Sequence, residues 1–291
     1  MNNIAVVVTY NKLELLRECI EALESQTIKL NKLVVLDNAS TDSTKDYLLS
    51  KKSDNFIPIF SEENLGGAGG FNLAIKEAMR YESDNIWIMD DDTIVKNDAH
   101  EKLINKAKFL QGDYGFLASN VLWVDNQPCL MNIPAVARKW NSKAINEIIE
   151  IKSSSFVSLF VNTKSIKQVG YPIKEFFIWG DDVEYTERIS KVYPSYFVAD
   201  SVAIHKMASN ATVDIMIEDK GRVPRYFYDI RNKFYRAKKE GSKAVVKYIF
   251  KTHLLILKIL FSSTNNKILK IKTIYKGFLS GIYFNPKIEK Y

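Results

Sequence analysis

The sequence predicts an α/β protein, an open and mostly parallel sheet followed by a C-terminal helical tail. Three observations carry that expectation. Short β-branched apolar runs alternate with helical spacings over residues 4–90, the main polar motifs fall at the ends of apolar runs, and the positive excess is confined to the end of the chain.

Residues 4–10 (IAVVVTY) and 33–37 (LVVLD) have the unbroken apolar character of strands buried on both faces. Between them Leu13, Leu15, Leu16, Cys19, Ile20 and Leu23 recur at helical spacing, which makes a βαβ unit with parallel strands. Asn38-Ala39-Ser40-Thr41-Asp42 supplies turn and N-cap residues for a second helix through Tyr47 and Leu49. A third strand fits residues 56–60. Residues 64–70 (NLGGAGG) then open a helix expected over 71–80, and 85–89 (NIWIM) form a fourth strand running into Asp90-Asp91-Asp92. In such sheets ligands bind beyond the carboxyl ends of the strands. Residues 100–175 are less regular, with a helix near 102–110 and apolar runs at 114–124 and 156–161. Residues 176–189 (FFIWGDDVEYTERI) carry an acid pair on a turn leading into a helix, and 195–204 form a strand ending at His205. Two helices joined at 262–266 complete the chain.

With 291 residues, 46% of them hydrophobic, the chain has a substantial core, and general disorder is excluded. Two cysteines, Cys19 and Cys129, make no disulfide framework, and no CxxC or Cys/His cluster points to zinc, so a cytosolic protein is expected. The N-terminus has no basic stretch before its apolar run and does not resemble a signal peptide. No segment reaches the roughly 18 consecutive apolar residues of a membrane span. The net charge of +7 is unevenly placed. Residues 1–240 hold 31 basic and 33 acidic side chains, whereas 241–291 hold 10 basic and 1 acidic. The first region is expected to be one domain and the second a basic amphipathic tail.

Three adjacent carboxylates at a buried strand end repel one another unless a cation or donor groups neutralise them, and Asp90 and Asp92 can face one hard divalent ion. A solvated acidic turn is the plainer reading. Gly66, Gly67, Gly69 and Gly70 permit close backbone approach to a phosphate or sugar, although neither a Walker A loop nor GxGxxG is present; the alternative is a flexible connection. Asp37 stands where a carboxylate accepts from a nucleobase or ribose, or caps the next turn. Asp181 and Asp182 lie among Phe176, Phe177, Ile178 and Trp179, surroundings that raise a carboxylate towards a general base, while an N-cap pair is the competing role. His205 is either structural or a third ligand beside two carboxylates.

Together these residues resemble the family 2 inverting glycosyltransferases with the GT-A fold, a Rossmann-like nucleotide-binding sheet. The resemblance rests on VVTYN (7–11), LDNASTD (36–42) and the acid cluster. NLGGAGGF (64–71), MDDDT (89–93) and FFIWGDDVEY (176–185) are similar to bacterial galactofuranosyltransferases, and YFYDIRN (226–232) to a motif shared with rhamnosyltransferases. The resemblance implies that Asp37, Thr9 and Asn11 hold uracil and ribose, that Asp91 faces the nucleotide, and that Asp90, Asp92 and His205 coordinate Mn²⁺ or Mg²⁺. It further implies Asp182 as general base, Asp181 as the residue orienting the acceptor, and Asn64, Gly66, Gly67, Gly69, Gly70 and Trp179 as the shapers of the donor-sugar and acceptor sites. The implied donor is UDP-galactofuranose and the implied acceptor a glycan, lipid-linked or not, in cell-surface polysaccharide synthesis. One departure is visible: Gly180 separates Trp179 from the acids, where relatives place Trp directly before them.

In the tail Lys243, Lys247, Lys251 and Lys258 share a helical face, and Lys267, Lys270 and Lys276 repeat the style beside Ile268, Ile271, Ile274, Tyr275 and Phe278. Such helices lie on anionic membranes, or else dock on a core with their lysines in water. The first reading puts the protein on the inner face of the cell membrane, peripherally. Two rivals stand beside the main reading. A transferase using dTDP-rhamnose fits the same motifs, and a basic nucleic-acid or anion-binding module accounts for the tail but leaves the acid-rich strand ends unexplained.

Overall fold

The computed structural model describes residues 1–291. Its first half follows the predicted alternation: β1 (Asn3–Thr9), α1 (Leu13–Glu24), β2 (Lys32–Asp37), α2 (Thr44–Lys51), β3 (Phe56–Phe60), α3 (Gly66–Ala78) and β4 (Asn85–Asp90). β1 pairs in parallel with both β2 and β4, and β2 with β3. Alternate residues of β1 feed two separate cores. Ala5 and Val7 pack with α1 on one face, and Ile4, Val6 and Val8 pack with α3 on the other. This is why the run is apolar throughout instead of alternating.

The irregular middle contains β5 (Thr93–Val95), α4 (Ala99–Phe109), β6 (Phe116–Leu122), β7 (Ala135–Val136), β8 (Ile148–Ser153), β9 (Leu159–Asn162) and α5 (Thr163–Val169). α6 (Asp181–Ser190) and β10 (Tyr196–His205) follow. The strand order is β3-β2-β1-β4-β9-β6-β10-β8-β7, with β5 paired to β10. β9 runs antiparallel to both β4 and β6, whereas β6 and β10 are parallel. The sheet is therefore mixed, with an all-parallel half at β3-β2-β1-β4. Trp87 of β4 is fully buried at the join and donates its indole N–H to Ser158 Oγ at 3.0 Å. Its truncation to alanine would cost about 3–5 kcal/mol.

α3 differs from expectation. It starts at Gly66, not near residue 71, so the glycine cluster forms its first turns. A Cβ on Gly70 would stand 2.7 Å from Val8 Cγ1, and one on Gly69 2.7 Å from Leu65 Cβ. The glycines let this helix settle closely onto the sheet, and that packing overrides their poor helix propensity.

α7 (Tyr226–Glu240), α8 (Ser242–Phe261) and α9 (Lys267–Tyr283) pack together around Ile230, Ile256, Ile259 and Ile274. α9 approaches α7 across Gly277 and Gly281, where added Cβ atoms would meet Phe227 O at 2.6 Å and Phe234 Cβ at 2.8 Å. The chain end then returns to the sheet region: Glu289 ion-pairs with Lys76 and Lys174, and Glu289 O accepts from Tyr171 N at 2.9 Å. Lys270 is buried, donating to Met216 O at 2.9 Å and Thr264 Oγ1 at 2.7 Å, so it is withdrawn from the solvent-facing lysines expected on this helix. No helix is long and apolar enough to cross a membrane.

Candidate active site

Strand register assembles the first part of the site. Thr9 lies beside Asp37 across β1 and β2, and Val8 beside Asp90 across β1 and β4, so Thr9, Asp37 and the acid triplet share one sheet edge. Thr9 Oγ1 donates to Asp91 Oδ2 at 2.8 Å, with Tyr10 N donating to the same oxygen at 3.3 Å. Asp37 is buried and its Oδ1 accepts from Ser40 N at 2.9 Å, which is the turn-capping bond; Asn11 Oδ1 accepts from Thr41 N at 2.7 Å. These bonds tie the ends of β1 and β2 into a polar ledge.

The three acids are distinguished by their partners. Asp90, Asp92 and His205 bring ligand atoms to within 4.8 Å of one another. His205 Nε2 lies 3.0 Å from Asp92 Oδ1, and its Nδ1 lies 2.9 Å from Asn132 Oδ1. Burial works against a charged His205, but the bond to Asp92 and the surrounding negative charge lift it to about 10. For Asp92 burial opposes ionisation, yet the bond to His205 and the Lys12 charge hold it well below the usual carboxylate range. Asp90 is raised to about 7 by burial and then by the charge of Asp92. Two carboxylates and an imidazole are a donor set that suits Mn²⁺ or Mg²⁺; with Nδ1–H on Asn132 Oδ1, His205 would offer Nε2 to a cation once the proton it shares with Asp92 has left. The cluster already attracts a positive group. Lys12 Nζ stands 2.7 Å from Asp92 Oδ2 and 3.2 Å from Asp91 Oδ1.

The glycine run and the second acid pair meet. Gly66 has φ +69, and a Cβ there would fall 2.1 Å from Phe177 O. That close approach lets Ala68 N donate to Phe177 O at 3.1 Å. Asn64 is exposed; its Oδ1 accepts from Gly66 N at 2.8 Å and stands 3.2 Å from Asn38 Nδ2, a local brace for the same turn. Gly67 alone of the four has open space over its Cα. Trp179 (φ +63) and Gly180 (φ +85) then turn the chain so that α6 begins at Asp181. Trp179 packs edge-on against Tyr226.

Asp181 is buried and Asp182 partly open, and neither makes an ion pair. Burial raises Asp181 well above the carboxylate range, and the charges of Asp182 and, more weakly, Asp90 add to it. That Asp90 is felt at Asp181 means the two acid clusters lie within electrostatic reach of each other. Burial also raises Asp182, to about 6, against the bond its Oδ1 accepts from Val183 N at 2.7 Å and the Arg236 charge. A carboxylate so placed takes up a proton near neutral pH.

Lys12, Asn132 and Asn232 are neighbours of the acid clusters that the sequence does not single out: the first two bond Asp92 and His205, and the third bonds the turn before Asp181. A lysine directly following VVTYN was the only signal for the first. Asn132 sits in a short turn outside any periodic pattern, and Asn232 meets residues more than fifty positions away.

Residues 4–118 match the family model described as glycosyl transferase family 2. The chain is 25% identical to the galactofuranosyltransferase GlfT1 of Mycolicibacterium smegmatis, over 64% of each chain. Its identity to GlfT1 of Mycobacterium tuberculosis is also 25%, over 83% of this chain and 84% of that one. Among solved structures it is similar to Staphylococcus aureus TarS 1-349 in complex with UDP, with a TM-score of 0.53 and 18% identity over 96% of this chain and 71% of that one. The last likeness shows the fold.

Proposed function

The chain is a family 2 glycosyltransferase with the GT-A fold, supplied by a nucleotide-sugar donor, and from that premise we propose that it transfers galactofuranose from UDP-galactofuranose, with inversion, to a glycan or lipid-linked glycan of a cell-surface polysaccharide. One observation carries the reading: a cation-seeking cluster, Asp90, Asp92 and His205, shares a site with the Asp181–Asp182 pair, which lacks any ion pair. The galactofuranose assignment is supported by the identity to GlfT1 and by the NLGGAGGF and FFIWGDDVEY motifs.

In this reading Thr9, Asn11, Asp37 and Asp91 line the nucleotide side, and Asn64, Gly66, Gly67, Gly69, Gly70 and Trp179 bound the donor and acceptor sugars. Asp90, Asp92 and His205 would hold Mn²⁺ or Mg²⁺, which when bound neutralises charge on the diphosphate leaving group. Asp182 accepts the proton of an acceptor hydroxyl as its oxygen bonds to the anomeric carbon. The bond from that carbon to the diphosphate breaks on the opposite face, and UDP leaves with the electron pair. Asp181, whose proton burial favours, orients the acceptor.

The tail supplies a site of attachment at the inner face of the cell membrane. Val246, Phe250, Leu257 and Phe261 are exposed along α8, and Ile268, Tyr275, Leu279 and Ile282 along α9. No acidic residue occurs between 241 and 288. Apolar side chains among lysines match an anionic bilayer, each lysine contributing about 1 kcal/mol. Co-sedimentation should be strong with phosphatidylglycerol vesicles and weak with phosphatidylcholine, and Phe250→Ser with Phe261→Ser should weaken it.

The donor is tested by thermal shift with Mn²⁺ and UDP, dTDP or RNA, followed by transfer assays with UDP-galactofuranose. Selective stabilisation by UDP with sugar transfer supports the reading. Preference for dTDP would replace it with rhamnosyl transfer, and preference for RNA with a binding role.

A further inference from the structure

The turn that delivers the acid pair is unfavourable in itself. Phe177, at φ +62 and ψ −63, adopts the rare, strained γ-turn, with Ile178 N donating to Phe176 O at 2.7 Å. Two residues on, Trp179 is again left-handed. Bulky side chains keep such backbone only where surrounding groups over-determine it. The carbonyls of this turn, taken out of regular structure, need donors from elsewhere.

They find them on α7. Asn232 is fully buried, and its Nδ2 donates to Phe176 O at 3.0 Å, Ile178 O at 3.2 Å and Trp179 O at 2.9 Å. Arg231 Nη2 donates to Glu175 O and, at 3.2 Å, to Phe176 O. Phe177 O is taken by Ala68 N, and Gly180 O by Glu184 N at 3.0 Å. Every carbonyl from Glu175 to Gly180 thus has a donor. The amide of Asn232 has one possible orientation: its Oδ1 accepts from Arg231 Nε at 3.0 Å, and reversing it would set an oxygen against three carbonyl oxygens.

We propose that Asn232, supported by Arg231, is a positioning residue for the transfer step. Its amide gathers the carbonyls of Phe176, Ile178 and Trp179 so that Asp181 and Asp182 enter the site from the first turn of α6. The proposal rests on the reading of Asp182 as base and deepens it. It also gives the YFYDIRN segment a task, because a helix distant in sequence holds the catalytic turn. The nucleotide ledge of β1, β2 and β4 has its own bonds and takes no direct support from Asn232.

The test uses the full chain carrying Asn232→Asp, which keeps the shape but loses the donors, and Asn232→Leu, which keeps the approximate volume. Acceptor and donor kinetics are measured beside UDP affinity by titration calorimetry with Mn²⁺. Small misplacements of a reacting group cost about 100-fold, so kcat should fall by about that factor while UDP affinity stays within about twofold. Turnover within about threefold of the parent in Asn232→Asp would overturn the proposal. So would UDP affinity falling in step with kcat, because the residue would then serve the whole fold. If Asn232→Leu does not fold, Asn232→Asp decides. Asp182→Asn run alongside separates the two ideas. If it keeps turnover, the base assignment fails; if it alone loses turnover, only the role of Asn232 fails.

Discussion

Asp90–Asp92 and Asp181–Asp182 are the same functional groups in opposite surroundings. The first cluster has Lys12 and His205 against it, and Asp92 is held ionised. The second has no ion-pair partner, and burial raises both its members, as it does Asp90 in the first, with no group like His205 to hold one of them ionised. On the proposed reading the contrast separates two tasks, since compensating charge around Asp92 suits holding a cation and the diphosphate, while an acid pair without an ion-pair partner suits a base that responds near neutrality.

The sharpest way to break the comparison is Asp182→Asn. Loss of a general base lowers rate by about 10²–10⁴-fold. kcat should fall within that range while UDP affinity with Mn²⁺ remains near the parent value, because the change leaves the other cluster intact. A parallel loss of UDP binding would show that the clusters do not divide the work.

The mirror experiment is Asp92→Asn. Removing this charge leaves His205 and Lys12 without their shared carboxylate, so UDP binding should lose its response to Mn²⁺, with turnover down roughly 100-fold. Chelation of the parent enzyme with EDTA should do the same. Calorimetry with and without Mn²⁺ checks this, and an undiminished Mn²⁺ response would remove Asp92 from the ligand set.

A milder effect lies in pH. Asp182 is raised to about 6 and must be ionised to accept a proton. With saturating Mn²⁺ to keep Asp90 ionised, kcat/KM should therefore be level above that value and fall as pH drops through it, by about tenfold per unit once well below. Relocating the base to a solvated carboxylate would instead place this fall near pH 4. A full pH profile with buffer controls distinguishes the two.

The same contrast explains what could be read in advance. The parallel half was legible because strands buried on both faces leave unbroken apolar runs, and the acid triplet because it ends one of them. The second acid pair was also visible, but its support was not. Asn232 meets residues 53 to 56 positions away, and nothing in periodicity marks such a contact. Asn132 likewise reaches His205 from a non-repetitive turn. The start of α3 was misplaced because four glycines suggest a loop, whereas their contacts with Phe177, Leu65 and Val8 are what a helix packed this closely requires.

That cluster yields the smallest and most local test. Gly66→Ala puts a methyl against the Phe177 carbonyl at a left-handed position, so it should lower stability by about 1–3 kcal/mol and, with Asp182 as the proposed base, slow transfer by shifting the turn that carries it. Gly67→Ala meets open space inside the same helix turn and should raise stability by up to about 1 kcal/mol. Thermal unfolding of both variants measures the difference. Donor KM then separates packing from recognition at Gly67: an unchanged value leaves this glycine outside the sugar site, whereas a rise with stability intact means that the open space above it is where the donor approaches the backbone.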